Sequence, residues 1–357
     1  MELKKTLLPP EKLKPLYEDA LQLKFGKMFT DYMFTMSYME GKGWYAPEIK
    51  PYQPLVLDPA CAVFHYGQEI FEGQKAYKTK NNEILLFRPE ENAKRFNMSM
   101  KRMSMPEIPV EDFLYYEREL IKLEERWIPT QKGTSLYIRP TGIATEPALG
   151  VKPSSEYLFF IILSPVGAYY SSGFKPCSLW VSTEYARAGE GGTGAAKAGG
   201  NYGGSLAATA DALRKGCNQV LWLDSKEHRF VEEVGAMNIF FIMNDKLVTP
   251  PLTGTILPGI TRKSVLQLAG DLDIEPVERM IAVDEVLEGI KAGQVTEVFG
   301  AGTAAVISPV GKICYKDKEY TINNNETGPW AQKIFDTLTG IQYGELEDKY
   351  HWVHKIK

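Results

Sequence analysis

A lysine within a glycine-rich segment is the first residue whose surroundings point to chemistry. Residues 189 to 204, GEGGTGAAKAGGNYGG, are half glycine, and Lys197 is the only cationic residue among them. Such segments often bind phosphate, but a Walker A loop needs its lysine directly after the last glycine and a hydroxyl residue next. Here Ala196 precedes the lysine and Ala198 follows it. The segment therefore does not fit that kind of phosphate-binding loop.

The alternative is that Lys197 acts as an amine nucleophile. Small residues on both sides leave room for a flat cofactor, and removal from water favours the neutral amine that Schiff-base chemistry requires. An isolated lysine is nevertheless far more often a solvated surface cation. The rest of the sequence must decide between these two interpretations.

A second glycine-containing segment, GAGTAA at residues 300 to 305, resembles a dinucleotide-binding turn. That fold needs a long helix after the turn, whereas here the chain continues as VISPV, which is β-branched and contains Pro309. Patterns of this kind are weak by themselves. The sequence therefore favours no dinucleotide site.

Composition and charge exclude several classes of partner. The 357 residues are 44% hydrophobic and 24% charged, with a formal net charge of -4 and no block rich in lysine or arginine. Nucleic acid is not expected, because its phosphates require a basic surface. The most apolar run, from Tyr157 to Leu163, is too short to span a membrane.

The cysteines and the N-terminus indicate a cytoplasmic protein. Cys61, Cys177, Cys217 and Cys314 are far apart in the sequence and form no C-x-x-C pair. This spacing favours reduced thiols over a redox motif or a zinc site, and no metal is expected. The N-terminal residues mix acids with bases and lack the apolar stretch of a signal peptide.

The order of predicted elements indicates an α+β fold with two domains. Helices are predicted over 111–126 and 206–216, after Pro258-Gly259, and after Asp284, which is the predicted N-cap. Strands are predicted over 135–140, 156–163, 218–224 and 241–252, and the last of these contains an Asn-Asp turn. The segment PVGAYYSSGFKP, residues 165–176, is a candidate linker because of its prolines and glycines. We therefore expect a smaller N-terminal α+β domain over 1–164 and a larger, cofactor-binding α+β domain over 177–357.

Several motifs in fixed order give the sequence a family resemblance. They are HYGQEIFEGQKAY (65–77), FRPEENAKR (87–95), LYIRP (136–140), KAGGNY (197–202), EVGAMN (233–238), ILPGITR (256–262) and FGAGTAA (299–305). Together they resemble the branched-chain amino acid aminotransferases, pyridoxal-phosphate enzymes of fold type IV. The resemblance covers most of the chain from about residue 25 onward and is highly specific. It implies two α+β domains with the cofactor in the interdomain cleft.

Matched residue by residue, the resemblance gives Lys197 the covalent attachment to pyridoxal phosphate and the proton transfer at the substrate. It pairs Glu233 with the pyridine nitrogen, where a carboxylate keeps the ring protonated and improves it as an electron sink. It places Tyr202 at the phenolate oxygen of the cofactor. We expect Glu232 to face the opposite side of the strand from Glu233, because strand side chains alternate.

The resemblance assigns the cofactor phosphate to residues outside the glycine-rich segment. Arg95 matches the arginine of the family that binds phosphate, and its planar guanidinium suits phosphate oxygens. Ile260 and Thr261 lie at the expected start of a helix, where backbone N–H groups and the helix dipole favour an anion. Thr303 adds a hydroxyl and an N–H group from the GAGTAA turn.

The resemblance also implies a pocket for branched aliphatic side chains and for glutamate. Its matched positions are Phe29, Tyr66, Phe71, Tyr137, Arg139 and Ala304. Tyr66 or Arg139 would help to receive a carboxylate, and Tyr137 and Arg139 share one face of their strand by the period of two. Taken singly, each aromatic residue would be a core residue more often than a ligand.

The expected reaction is ping-pong transamination of L-leucine, L-isoleucine and L-valine with 2-oxoglutarate, by a homodimer in which the partner completes the pocket. Two departures from the family pattern stand out. Ala236 occupies a position where some members have threonine, and AVIS (305–308) replaces the C-x-x-C redox pair of the mammalian enzymes.

Other functions remain open at the level of the sequence. A D-amino acid aminotransferase or an aminodeoxychorismate lyase would share the fold, the lysine and the glutamate. Those relatives are typically shorter and lack HYGQEIFEGQKAY together with LYIRP. A nucleotide-binding protein that uses its glycine-rich loops for phosphate alone is the alternative from another class.

Overall fold

The computed structural model describes residues 1–167 and 174–356 and has the α+β composition that the sequence predicts. In these ranges the strands are β1 (Lys4–Lys5), β2 (Tyr32–Met39), β3 (Gly43–Pro51), β4 (Glu69–Phe71), β5 (Gln74–Lys78), β6 (Ile84–Phe87), β7 (Ser135–Ala144), β8 (Glu156–Val166), β9 (Cys177–Val181), β10 (Gln219–Leu223), β11 (Val231–Val234), β12 (Met237–Met243), β13 (Lys246–Thr249), β14 (Pro276–Glu278), β15 (Val295–Gly302), β16 (Val306–Tyr315), β17 (Lys318–Thr321) and β18 (Val353–Lys355).

Helices connect and cover these strands. The α-helices in the described ranges are α1 (Ala62–Tyr66), α2 (Pro89–Arg102), α3 (Val110–Leu123), α4 (Gly199–Gly204), α5 (Leu206–Arg214), α6 (Ile260–Asp271), α7 (Val283–Lys291) and α8 (Pro329–Gln342). Short 3-10 helices lie at Pro10–Lys12, Ala20–Gln22, Glu125–Trp127 and Asn323–Asn325. No helix in the described ranges is long and apolar enough to cross a membrane.

The chain forms two compact units. Unit 1 contains Met1–Tyr169, Ala196–Gly199 and Gly340–Lys357, and unit 2 contains Tyr170–Ala195 and Gly200–Thr339. This division differs from the predicted one in two places, because Lys197 and the last residues of the chain group with the N-terminal unit. That unit is consequently the larger one, contrary to expectation. Local composition does not reveal this, since both segments return to unit 1 through backbone pairing.

The predicted linker also begins too early. Pro165 and Val166 belong to β8, where Pro165 pairs with Leu136 of β7, so the strand extends into the segment assigned to the linker. Residues 168–173 of that segment lie outside the described residues. A proline in a strand lacks only its N–H donor, and the apolar pairing of β8 with β7 continues past it.

Unit 1 is built on one sheet with helices packed against it. Its described strands follow the order β1-β3-β2-β8-β7-β5-β6-β18, with β4 paired to β7. Helices α2 and α3 supply Phe96 and Phe113, whose rings lie 5.3 Å and 5.5 Å from the ring of Phe159 on β8. All three side chains are fully buried. This aromatic core holds α2 against the sheet and so fixes the position of Arg95.

Unit 2 contains a closed ring of strands. The order β11-β10-β9-β16-β15-β12 is completed by pairing between β11 and β12, while β13, β14 and β17 extend from its members. Closure satisfies the backbone groups that an open sheet would leave at its edges. The ring places Glu233 of β11 opposite Asn238 of β12, and Asn238 opposite Ala301 of β15.

Most predicted elements are present with modest changes at their ends. The Asn-Asp turn is confirmed, since Asn244 and Asp245 between β12 and β13 both have positive φ angles. The N-cap assignment at Asp284 is wrong. Ala282 is the N-cap and α7 begins at Val283, which places Asp284 inside the first turn, where its charge favours the helix dipole.

The aromatic core of unit 1 gives a stability prediction. We expect Phe113→Ala to lower the free energy of unfolding by about 3 to 5 kcal/mol, because it leaves a cavity among buried rings. Tyr115 lies on the same helix with 48% of its surface exposed, and Tyr115→Ala should cost less than about 1 kcal/mol. Urea unfolding followed by circular dichroism measures both, and equal losses would contradict this account of the core.

Candidate active site

Backbone pairing fixes the position of Lys197 in unit 1. Its N–H donates to Oγ of Ser99 at 2.9 Å, and its carbonyl accepts the N–H of Phe71 at 3.0 Å. The neighbouring Ala198 forms a β-bridge with Ile70. Ala196 and Ala198 are both buried in the core, whereas Lys197 between them is only partly buried. The two alanines thus anchor the segment and leave the lysine side chain outside the core.

Three predicted substrate residues lie together beside this lysine. Nζ of Lys197 is 4.9 Å from the ring centroid of Phe71, and the guanidinium carbon of Arg139 is 4.6 Å from the same centroid. Arg139 also donates a hydrogen bond of 3.1 Å to the hydroxyl of Tyr137. Tyr137 and Arg139 project from one face of β7, as their spacing predicts. The result is an aromatic surface bordered by two basic side chains.

A glycine makes room for this cluster. A Cβ atom at Gly73 would overlap the hydroxyl of Tyr137. Gly73 lies between β4 and β5 in the FEG sequence, and its lack of a side chain leaves room for the hydroxyl of Tyr137. This is a packing requirement and not a conformational one, because the clash comes from the tyrosine.

Arg95 lies on α2, and a buried carboxylate orients it. Glu72 is fully buried and accepts hydrogen bonds from Nε and Nη2 of Arg95 at 2.7 Å and 2.9 Å. Asn92 donates to the same carboxylate at 2.9 Å. Burial opposes ionisation of Glu72, but the charge and hydrogen bonds of Arg95 and the charge of Lys197 outweigh it, so the pKa of Glu72 is lowered. The pairing fixes the plane of the guanidinium.

A second buried acid lies next to this pair. Glu117 of α3 is fully buried and accepts a hydrogen bond of 2.7 Å from the side chain of Gln74. Burial raises the pKa of Glu117 to about 8; the charges of Glu72 and Glu90 act in the same direction, while Arg118 and the Gln74 hydrogen bond oppose it. Glu117 is therefore protonated at neutral pH, which limits the negative charge near Glu72.

In unit 2, Glu233 is held between a cation and an amide. Nε of Arg187 lies 2.5 Å from Oε2 of Glu233, and both side chains are at least nine-tenths buried. Nδ2 of Asn238 donates to Oε1 of Glu233 at 3.0 Å and also contacts the carbonyl of Leu257 at 2.9 Å. These contacts hold the carboxylate in a fixed orientation beside a cation. Such a group can pair with a protonated ring nitrogen.

Tyr202 lies on α4 near the same arginine. Tyr202, Arg187 and Ala236 line a cavity of about 100 Å³ in unit 2. Ala236 forms part of the turn between β11 and β12 and is exposed. A threonine at this position would add a hydroxyl to the wall of this cavity, which this sequence lacks.

The start of α6 has the geometry expected of an anion site. Ile260 and Thr261 are its first two residues and Gly259 is its N-cap, and the first N–H groups of any helix lack intrahelical acceptors. A Cβ at Gly259 would overlap Oδ1 of Asn238. Asn238 therefore contacts both the helix start and Glu233, which places these two parts of the candidate site close together.

Thr303 and Ala304 occupy the turn between β15 and β16. The turn follows directly after Ala301 and Gly302, and Ala301 pairs with Asn238. Both residues are partly buried. The register of β11, β12 and β15 therefore brings Glu233 and the GAGTAA turn to neighbouring positions of the ring.

Two predicted substrate residues have their main contacts elsewhere. Phe29 stacks on Tyr52 with ring centroids 5.1 Å apart. Tyr66 is 41% exposed, and its hydroxyl donates to the carbonyl of Leu149. The contacts found among the described residues do not join either residue to the cluster around Phe71.

Glu72, Arg187 and Asn238 were not predicted from the sequence as site residues. Glu72 and Asn238 lie inside motifs that carried the family resemblance, and Arg187 precedes the glycine-rich segment. Their types alone gave no signal, because their burial and their partners are set by the tertiary structure. Among the described residues, no group of three or more potential ligands could hold a metal ion.

Comparison with known proteins agrees with this arrangement. The family model for class IV aminotransferases matches residues 69–313. Branched-chain-amino-acid aminotransferase 2 of Bacillus subtilis (strain 168) is 51% identical over 98% of this chain and 96% of that protein. The chain therefore belongs to the branched-chain-amino-acid aminotransferases within class IV.

Solved structures lead to the same family. The Escherichia coli branched-chain amino acid aminotransferase aligns with a TM-score of 0.76 and 28% identity, over 92% of this chain and 99% of that one. The branched-chain aminotransferase of the thermophilic archaeon Thermoproteus uzoniensis, solved with norvaline, aligns with a TM-score of 0.75 and 25% identity, over 91% of this chain and 100% of that one.

The buried acid Glu117 gives a pH prediction. Its folded-state pKa of about 8 exceeds the ordinary value of 4.5, so between these values only the folded state keeps the proton. Stability should then fall as pH rises, by about 1.4 kcal/mol per pH unit from this group. Glu117→Gln should remove this slope, leaving stability near pH 4.5 unchanged and raising it at pH 7.5.

Urea unfolding at several pH values measures this effect, and Glu111→Gln on the exposed side of α3 is the control. Glu111 is exposed, so its substitution should leave the pH profile of the unfolding midpoint as it is. Parallel profiles for Glu117→Gln and the unchanged protein would show that Glu117 ionises normally when folded.

Proposed function

We propose that this chain transfers the amino group of L-leucine, L-isoleucine or L-valine to 2-oxoglutarate in two half-reactions. The products are branched-chain 2-oxo acids and L-glutamate. The enzyme is a branched-chain-amino-acid transaminase that uses pyridoxal 5'-phosphate. The observation that supports this most directly is the cluster in which Lys197 and Arg139 contact the same Phe71 ring.

The residues of unit 2 fit the shape and charges of the cofactor. Glu233, fixed by Arg187 and Asn238, suits a pyridinium nitrogen. The α6 start at Ile260 and Thr261 suits a phosphate, and Thr303 lies in the adjoining turn. When bound, pyridoxal phosphate supplies an electron sink that eases loss of the substrate α-proton.

Each proposed cofactor residue has a distinct task. Lys197 would hold the cofactor through its amine and, once substrate has taken its place, would carry the proton from the substrate Cα to the cofactor. Glu233 would pair with the ring nitrogen and favour its protonated form, and Tyr202 would donate a hydrogen bond to the phenolate oxygen. Arg95 binds the phosphate with its guanidinium, whose plane Glu72 has already set.

The proposed substrate pocket combines an apolar wall with one cation. Phe71 and Tyr137 pack against the branched side chain, and Arg139 beside them receives the second carboxylate of glutamate. Both substrates can thus use one pocket, because the arginine lies at the border of the aromatic surface. Phe29, Tyr66 and Ala304 complete the set that we assign to substrate binding.

We further propose that the enzyme is a homodimer and that Tyr66 contributes to the partner's pocket. Tyr66 is 41% exposed and hydrogen-bonds to Leu149, which is 64% exposed. Phe64 and Val151, neighbours of these residues in the sequence, are 60% and 86% exposed. Exposed apolar residues in one region are typical of a subunit interface.

A cytoplasmic location agrees with the state of the cysteines. Cys61, Cys177, Cys217 and Cys314 are all free thiols, and burial raises the pKa of the Cys61, Cys177 and Cys217 thiols. Such thiols are typical of a reducing compartment. We therefore place the enzyme in the cytoplasm.

Spectroscopy and one substitution test the proposed reaction. Protein loaded with pyridoxal phosphate should absorb visible light, lose this band with L-leucine, and regain it with 2-oxoglutarate. Lys197→Ala should lower the transamination rate by at least about a hundredfold, because it removes both the attachment and the proton carrier.

Lys215→Ala is the matched control for this substitution. Lys215 is an exposed lysine of unit 2 that lies over the Trp180 ring, and its loss should leave the rate unchanged. Circular dichroism verifies that both variants fold. A substantial rate with Lys197→Ala, or a colourless protein after reconstitution, would refute the proposed mechanism.

Light scattering tests the proposed dimer. The chain has a mass of 40.1 kDa, so the assembly should measure about 80 kDa. Leu149→Asp should shift the protein toward the monomer, because a carboxylate would be buried in the interface. Leu213→Asp, at an exposed leucine of α5 in unit 2, should leave the mass unchanged. A monomeric unchanged protein would rule out this assembly.

A further inference from the structure

A second cavity of unit 2 lies beside the residue that precedes Glu233. It has a volume of about 200 Å³, and its wall includes Glu232, Thr255, Phe230, Ile256 and Met280. Neighbouring strand residues face opposite sides, so Glu232 lines this cavity while Glu233 contacts Arg187 and Asn238. The expectation that the two acids diverge is confirmed by these contacts, although both are buried.

Glu232 has one oxygen that the protein does not satisfy. Its side chain is 7% exposed, and Oε1 accepts a hydrogen bond of 2.5 Å from the hydroxyl of Thr255. Oε2 is buried and has no hydrogen-bond partner among the residues that the structure describes. An unsatisfied buried acceptor is costly, and most such atoms in proteins have a partner. A ligand with a hydrogen-bond donor would remove this cost.

The charge of the cavity wall favours a ligand with a positive charge. Its ionisable side chains are Glu190, Asp224, Glu227, Glu232 and Lys226, so carboxylates outnumber amines. Burial raises the pKa of Glu232; Asp224 and Glu190 act in the same direction, and the Thr255 hydrogen bond and Arg187 oppose them. A cation in the cavity would stabilise the ionised form.

Of the other carboxylates of the wall, Glu190 is exposed, whereas Asp224 and Glu227 have partners. Asp224 accepts hydrogen bonds from the backbone N–H groups of residues 226, 227, 229 and 230, and so shapes the loop that forms the wall. Glu227 lies near Arg229 and is half exposed. Glu232 is therefore the acceptor inside the cavity.

The other residues that line the cavity indicate that the ligand also has apolar groups. Phe230, Ile256, Met280 and two prolines supply apolar surface, and no described group of three or more ligating side chains could hold a metal ion. A compact organic cation fits both facts better than a hydrated metal ion. Cavities of roughly this size accommodate molecules of a few carbon atoms.

We propose that this cavity binds a small alkylammonium cation whose N–H group donates to Oε2 of Glu232 and whose alkyl groups pack against Phe230, Ile256 and Met280. The site is connected to Glu233 through a short chain of contacts. The carbonyl of Thr255 accepts a hydrogen bond of 2.8 Å from Nη1 of Arg187, whose Nε lies 2.5 Å from Glu233. A bound cation is therefore linked, through Thr255 and Arg187, to the carboxylate that we assign to the cofactor.

Trimethylammonium is a suitable probe, because a tertiary amine cannot condense with pyridoxal phosphate. Isothermal titration of the holoenzyme with trimethylammonium chloride should show saturable binding of one cation per chain. tert-Butanol, which is similar in size but neutral, should bind at least tenfold more weakly. Tetramethylammonium, which lacks the N–H donor, should also bind more weakly.

Two variants locate the binding. Glu232→Gln should weaken trimethylammonium binding at least tenfold, whereas Glu227→Gln at the half-exposed rim should change it less than twofold. Binding that is equal in Glu232→Gln and the unchanged protein would overturn the proposal, as would equal binding of tert-butanol. If Glu232→Gln fails to fold, the binding of trimethylammonium and of tert-butanol to the unchanged holoenzyme still tests the proposal.

Discussion

The pairing of residues 196–199 with β4 is the constraint on which the candidate site depends. The carbonyl of Lys197 accepts the N–H of Phe71, and Ala198 bridges to Ile70. These bonds fix the lysine beside the Phe71 ring. The alanines on each side are buried in the core, so the orientation of the segment is fixed as well. The glycines around Lys197 are thus a means of bringing a lysine to a strand edge, and they do not form a phosphate loop.

Two buried ion pairs orient the groups that we assign to the cofactor. Glu72 with Arg95, and Arg187 with Glu233, are almost fully removed from water. Buried pairs rarely add much stability, since desolvation of the two charges offsets their attraction. Their value here is orientation, because each pair holds a charged group at a fixed angle before any ligand binds. Nearby Glu117 stays protonated, which avoids a second negative charge in the same core.

The family and part of the candidate site could be inferred from the sequence, but the buried ion pairs could not. Motif order identified the family, and the period of two placed Tyr137 and Arg139 on one face. The partners Glu72 and Arg187 escaped notice, because an ion pair between distant residues has no local pattern. The grouping of Lys197 with the N-terminal unit could not be predicted for the same reason, since a four-residue segment gives no local signal of the strand with which it pairs. Asp284 is not the N-cap because α7 begins two residues earlier than predicted, at Val283, whose side chain is buried in the core of unit 2.

The sequence by itself determined the chemistry available to this protein: one lysine among small residues, an acid, a tyrosine and an arginine in the order of a known family. Only the tertiary structure decided which side chains orient them and which compact unit contains each. Residue types fix hydrogen-bonding capacity and charge, which are local properties. Burial and partnership depend on strands distant in the chain, so the lowered pKa of Glu72 and the unsatisfied oxygen of Glu232 exist only in the folded protein.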